Sequence, residues 1–203
     1  MGDRLTIVTG ATRTKAQWRT AILRARRELP LEARRADADA IRVALRSVVR
    51  RGDVVCAYVP LATEPGSVEM LDALVAAGAR VLLPVARDDE GTPMPLTWGA
   101  YRSDALVEAP FGLREPAPPH EPPHAIAAAS VVLVPALAVD RRGVRLGRGA
   151  GYYDRSLPLV GAGARLCAVV RDDEFVEELP GEAHDVAMTH VLTPGRGLFE
   201  LPH

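Results

Sequence analysis

The stretch "RLGRGAGYYD", residues 145–154, gathers the residues most able to do chemistry. Glycines alternate at Gly147, Gly149 and Gly151, with Leu146 and Ala150 between and beside them. Arginines stand at Arg145 and Arg148, and Tyr152, Tyr153 and Asp154 follow at once. Glycine lets the backbone approach a ligand closely and adopt positive φ. Successive amides in such a loop form a nest for an anion, and a helix start behind it adds further free N–H groups. The arginine fork suits two oxygens of one phosphate. Asp154, in the first turn of the helix, favours the helix dipole or holds a magnesium ion that bridges phosphates. Spacing alone also allows a tight strand-to-helix turn with its arginines in solvent; the flanking arginines and Asp154 favour a phosphate loop instead. It is not the Walker pattern, which needs Gly-Lys-Ser/Thr, nor GxGxxG, since position 152 is tyrosine.

Other charged residues stand apart from this loop. Lys15, the single lysine of the chain, and Arg19 are four residues apart, which puts them on one face of a helix. On its own that is a solvated basic edge. Glu64, before Pro65, is on its own an ordinary loop glutamate. "TGATRTK", residues 9–15, lacks the second glycine of a phosphate loop. Cys56 and Cys167 are isolated, with no CxxC and no histidine at metal spacing, so neither a disulfide framework nor a zinc site is expected. The net charge of -1 argues against a nucleic-acid binder. No apolar run approaches the roughly 20 residues of a membrane span, and a cytoplasmic location is expected. The match of "MGDRLT" to a myristoylation pattern is read as chance.

Elements that could position these residues follow from periodicity. With 203 residues, 48% of them apolar, one sizeable domain is expected: 14–203, after a polar lead-in over 1–13. Helix spacing covers 15–29, stopped by Pro30, and 31–52, with Ile41, Leu45 and Val48 or Val49 on one face and Gly52 as the stop. Residues 53–61 read as a buried strand, 67–79 as a helix capped by Ser67, and 80–85 as a second strand, a βαβ unit implying a parallel pair. Residues 88–98 read as a turn into an exposed or edge strand, and 111–126 as a proline-rich connector. The strongest strand signal is 130–139, and the glycine loop is expected to leave its carboxyl end, where open α/β sheets bind ligands. A strand over 165–170, a short helix over 174–180 and a last strand over 190–194 complete the pattern. The expected class is α/β, a mostly parallel or mixed central sheet flanked by helices.

Taken whole, several ordered motifs resemble the 5-formyltetrahydrofolate cyclo-ligase family, also called 5,10-methenyltetrahydrofolate synthetases. They are "KAQWR", "YVPLATEPGSVEML", "VLLP", "FGLREP", "VPALAVDRRGVRLGRGAGYYDRSL", and "ELPGEAHD" followed by "VLT". The resemblance implies a fold similar to the sugar-phosphate isomerase and CoA-transferase-like folds. It implies ATP-dependent closure of a folate ring: the formyl oxygen attacks the γ-phosphate, N10 attacks the phosphorylated imine, and phosphate leaves. Magnesium is the implied cofactor, ATP the co-substrate, and 5-formyltetrahydrofolate the second small-molecule substrate. No nucleic-acid or membrane partner is expected, and a monomer is expected.

Residue by residue, the resemblance implies nucleotide contacts from Lys15, Arg19, Arg145, Leu146, Gly147, Arg148, Gly149, Ala150, Gly151, Tyr152 and Tyr153, and a magnesium ligand in Asp154. Val59, Glu64, Phe111, Arg148 and Tyr152 would contact the folate, with Arg148 and Tyr152 central to catalysis. His184 and Asp185 match as a supporting pair. The sequence departs from the family at Ala150, basic in some relatives, at Glu174, commonly glutamine, and at Thr189, often acidic. The last two motivate a rival reading, a relative that binds nucleotide or folate without turnover. An isomerase acting on a sugar phosphate is a third reading, by fold analogy alone.

Overall fold

The computed structural model describes residues 13–182 and 185–202, the side chain of Phe111 excepted. Most of the expected lead-in, and His184, lie outside them. Strands of the large sheet are numbered here in chain order: β1 Val54–Cys56, β2 Arg80–Val85, β3 Thr97–Ala100, β4 His120–Glu121, β5 Val131–Pro135, β6 Arg165–Val169, β7 His190–Thr193 and β8 Gly197–Glu200. They lie side by side in the order β8-β7-β6-β5-β1-β2-β3-β4. The five inner strands β7, β6, β5, β1 and β2 run parallel, and antiparallel pairings add β8 at one edge and β3 with β4 at the other. The sheet is mixed, as an α/β reading allows. The chain leaves β1 toward β2 on one side and leaves β5 toward β6 on the other, so a crevice opens between the carboxyl ends of β1 and β5.

Alternation along the strands sorts the core. Val55, Val81, Leu83, Val131, Leu133, Cys167, Val169 and Leu192 face one side, packed with residues of the helices α2 (Leu31–Leu45) and α3 (Glu69–Ala76). Cys56, Leu82, Val132, Val134, Leu166, Ala168 and Val191 face the other. That second face is covered by 3-10 turns at Pro123–Ala128 and Leu157–Leu159 and by the short α4 (Tyr152–Ser156), not by long helices. The helix α1 (Lys15–Glu28) docks elsewhere. Its Ile22 packs with Leu137, Ala138, Leu146 and Leu179, on a small sheet made of Ala138–Asp140, Arg145–Leu146 and Phe175–Val176. A reciprocal cap fixes its start: the Thr14 hydroxyl accepts from Gln17 N–H and the Gln17 side chain accepts from Thr14 N–H.

Several expectations are corrected. The 130–139 run is two strands: β5 ends at Pro135, and Ala138–Asp140 belongs to the small sheet. The glycine loop therefore leaves a hairpin, not β5 itself. Asp140, fully buried, builds that turn: its carboxylate accepts from the N–H groups of Arg142, Val144 and Leu179. Gly143 closes it with φ of 82°, where a Cβ would meet Met188 O at 2.4 Å. Residues 174–180 are not a helix, because Phe175 and Val176 pair with Val139 and Asp140. The second helix stops at Leu45, short of Gly52, and Val48 and Val49 are buried beyond its end. Ser67 is not the N-cap of α3, which begins after Val68. β3 is no edge strand: β4, from the proline-rich connector, pairs outside it, and Trp98 is fully buried.

Candidate active site

The crevice holds a cavity of about 880 Å³. Its lining brings together Tyr58, Val59 and Glu64 after β1, Pro135 and Ala136 at the end of β5, and Arg145, Gly147, Arg148, Gly149, Ala150, Gly151, Tyr152, Tyr153 and Asp154 of the loop. The hairpin on Asp140 explains how. It folds the chain back, so the glycine loop returns over the strand end it had left.

Gly149 and Gly151 have φ of 101° and 83°, which only glycine adopts without strain. Among the described residues, no acceptor takes the backbone N–H groups of residues 147–151. These amides are therefore open to an anion. The helix behind them is only five residues long, so its dipole adds less than the sequence suggested. Leu146 is buried against α1 and does not line the cavity.

The charged groups are paired with one another. Arg148 Nε donates to Glu64 Oε1 at 3.0 Å across the crevice, while Glu64 Oε2 accepts from Leu61 N–H at 3.0 Å. Glu64 is nearly buried and the Arg148 side chain is 42% exposed. Arg145 donates to Asp154 at 2.5 Å and lies 5.8 Å from the Tyr153 ring. Burial pulls the Arg145 guanidinium below its ordinary value, and Asp154 opposes the shift. Tyr152 Oη donates to Asp88 at 2.5 Å, a bond that pushes its pKa up. Phe111 falls in the 3-10 turn Pro110–Gly112, whose neighbours Pro110 and Leu113 line the cavity; its side chain lies outside the described residues.

Lys15 and Arg19 do not line the cavity. Arg19 Nε donates to Gly147 O at 2.9 Å and supports the loop from behind. Lys15 reaches Glu182 at 2.9 Å and Asp185 at 3.4 Å. Burial pulls the Lys15 ammonium down, and the two carboxylates outweigh it, so its pKa is raised. Asp185 also accepts from Glu182 N–H, and its charge acts on Arg145.

The two departures find structural partners. Glu174 is the buried counter-ion of Arg26, at 2.6 and 2.7 Å. Thr189 precedes β7, at the sheet end opposite the cavity, and its hydroxyl accepts from Leu166 N–H at 2.9 Å and meets His190 Nδ1 at 2.8 Å. Sequence reasoning missed Tyr58, Asp88 and Ala136 in the lining. Tyr58, beside Val59 in the strand exit, and Ala136, in the run before the glycine loop, both lie inside quoted motifs and were within reach.

The sequence model of the 5-formyltetrahydrofolate cyclo-ligase family matches residues 11–194. A 5-formyltetrahydrofolate cyclo-ligase of Mycolicibacterium smegmatis is 58% identical over 190 residues, 93% of this chain and 98% of that protein. A 5,10-methenyltetrahydrofolate synthetase of Aquifex aeolicus, solved by NMR, superposes with a TM-score of 0.74 at 26% identity, covering 93% of each chain. One from Mycoplasma pneumoniae shares the fold, with a TM-score of 0.68 at 17% identity over 87% of this chain and 96% of that one. A chain matched over so much of its length, with an open-amide glycine loop facing Glu64, belongs to the 5-formyltetrahydrofolate cyclo-ligase family.

Proposed function

We propose that this chain converts 5-formyltetrahydrofolate to 5,10-methenyltetrahydrofolate at the expense of ATP, releasing ADP and phosphate. The observation that carries the reading is one cavity shared by open amides over 147–151 and by Glu64. The first suits polyphosphate oxygens; a carboxylate such as Glu64 suits adjacent N–H donors on a pterin. The formyl oxygen bonds to the γ-phosphorus as the bond to ADP breaks. N10 then adds to the activated carbon and gives up its proton to solvent or to the departing phosphate, and the carbon–oxygen bond breaks to free phosphate. Little covalent work falls to the protein, so positioning and charge stabilisation dominate.

Arg148 and Glu64 exchange partners in this reading. Arg148 swings to the transferring phosphoryl group and leaves Glu64 for the pterin. Tyr152, held by Asp88, aligns the loop at the junction of the two substrates. Arg19 holds Gly147 and so the loop's curvature. Among the described residues no three metal-ligating side chains cluster. Magnesium takes one or two carboxylates and leaves its remaining positions to water and phosphate oxygens, so a single carboxylate beside the glycine loop would suffice. Asp154, 42% exposed at the loop, would hold it, exchanging its Arg145 partner for the ion. When bound, the ion neutralises phosphate charge.

The test is direct. Purified protein with ATP, magnesium and 5-formyltetrahydrofolate develops the absorbance of the methenyl product, and omitting ATP abolishes it. Absence of that signal, with both substrates bound, would favour the non-catalytic binder instead.

A further inference from the structure

Beneath the cavity lies a charge network that the reaction does not use. Arg26 on α1 is 1% exposed and forks onto Glu174 at 2.6 and 2.7 Å. One of its nitrogens also donates to Ala136 O at 2.8 Å. Glu174 Oε2 accepts in addition from Arg171 N–H at 2.8 Å. The Arg171 side chain, 9% exposed, donates through Nε to Asp37 on α2 at 2.7 Å, and through Nη1 to Thr63 O at 3.1 Å. Two arginines and two carboxylates balance, as buried charges must.

What this network grips is the point. Ala136 follows β5 and lines the cavity; Thr63 precedes Glu64 in the turn after β1. These are the two lips of the crevice. The turn itself is closed by Glu64 N–H on Leu61 O at 2.8 Å and by Leu61 N–H on Glu64 Oε2 at 3.0 Å. Thr63 O is gripped from below by Arg171. The charge of Arg171 is already met by Asp37 and Glu174, so its arm to a neutral carbonyl serves geometry. Arginine alone has the rigid fork to reach an acid and a carbonyl together.

We infer that Arg171 is a positioning residue: through Thr63 O it fixes the turn that presents Glu64 to the substrate, while the Arg26–Glu174 pair anchors Arg171 and the opposite lip. The inference rests on the reading of Glu64 as the folate contact. Its consequence is selective. A misplaced Glu64 weakens the folate, while the glycine loop, held by Arg19 and the Asp140 hairpin, keeps its grip on the nucleotide. Small displacements of a contact group are costly in rate and affinity.

The experiment uses the full chain with Arg171→Gln and Arg171→Lys. For Arg171→Gln, KM for 5-formyltetrahydrofolate rises roughly tenfold while KM for ATP stays within about twofold. Amide exchange of residues 61–64 speeds up in the same variant. Two results would overturn the inference: both KM values unchanged despite a lower Tm, or both raised together. If Arg171→Gln does not fold, the same split is read on Arg171→Lys, which keeps the charge but not the fork; an unchanged folate KM there is equally fatal. A wild-type enzyme without turnover would sink the proposed function instead, and the exchange of residues 61–64 would still judge the role of Arg171.

Discussion

Two arginine–carboxylate pairs a short distance apart in the fold are built for opposite ends. Arg26 and Glu174 are almost wholly removed from water, and the carboxylate takes the guanidinium fork on both oxygens. Arg148 and Glu64 share one bond at 3.0 Å, with Arg148 partly in solvent at the mouth of a cavity. The first pair has no exchange partner: separating its members strands a charge in the interior. The second is enclosed on one side only: Glu64 is 8% exposed but lines the open cavity and keeps its Leu61 N–H donor, and Arg148 reaches solvent, so water or a ligand can stand in for either partner. The carboxylates are similarly enclosed, so burial of the arginine and access to the cavity decide which ion pair holds the fold and which is free to trade partners with a substrate.

Breaking each pair separately tests that contrast. Glu174→Ala leaves Arg26 uncompensated and lowers unfolding stability by about 3–5 kcal/mol, read by urea denaturation. A loss under about 1 kcal/mol would show that Arg26 finds water and that burial is not what distinguishes the pairs. Arg148→Ala has the reverse signature. Stability changes by less than about 1 kcal/mol. kcat/KM falls by roughly 10²–10³, as when one preorganised donor to developing charge is removed. An Arg148→Ala enzyme of full activity would return Arg148 to the role of a surface cation.

The contrast also marks where the sequence was readable. The glycine loop and the β1–α3–β2 unit carry signals in residue type and spacing, whereas Glu64 on its own reads as an ordinary loop glutamate and is singled out by the family resemblance; the structure joins loop and Glu64 in one cavity. Arg26 and Glu174 are 148 residues apart, and no periodicity announces such a pair. Glu174 therefore looked like a departure weakening function, when it is a counter-ion. Phe175, Val176 and Leu179 have spacing that imitates a helix face, but pairing with the Asp140 hairpin overrides it. That hairpin was hidden inside one apolar run because the break at Ala136 and Leu137 carries no turn residue.

The smallest expected effect extends the comparison to groups that carry no charge at neutral pH. Cys56 and Cys167 are both free and fully buried in the sheet. Burial pushes each thiol from an ordinary 9.0 up to about 12. A raised folded-state pKa gives stability that is complete below the unfolded value and is lost as pH rises toward the folded one. Between about pH 9 and 12, the unfolded chain ionises its thiols while the folded chain does not. Stability should therefore decline by roughly 1 kcal/mol per pH unit for each thiol over that window. Tyrosines Tyr58 and Tyr153, also raised by burial, add to the decline at its upper end. Urea titrations at pH 8, 9.5 and 10.5 measure the slope, and replacing Cys56 with alanine should make it shallower at the cost of a small cavity. An unchanged slope in that variant would mean the thiol is reached by water, and that burial in this sheet is less complete than at Arg26.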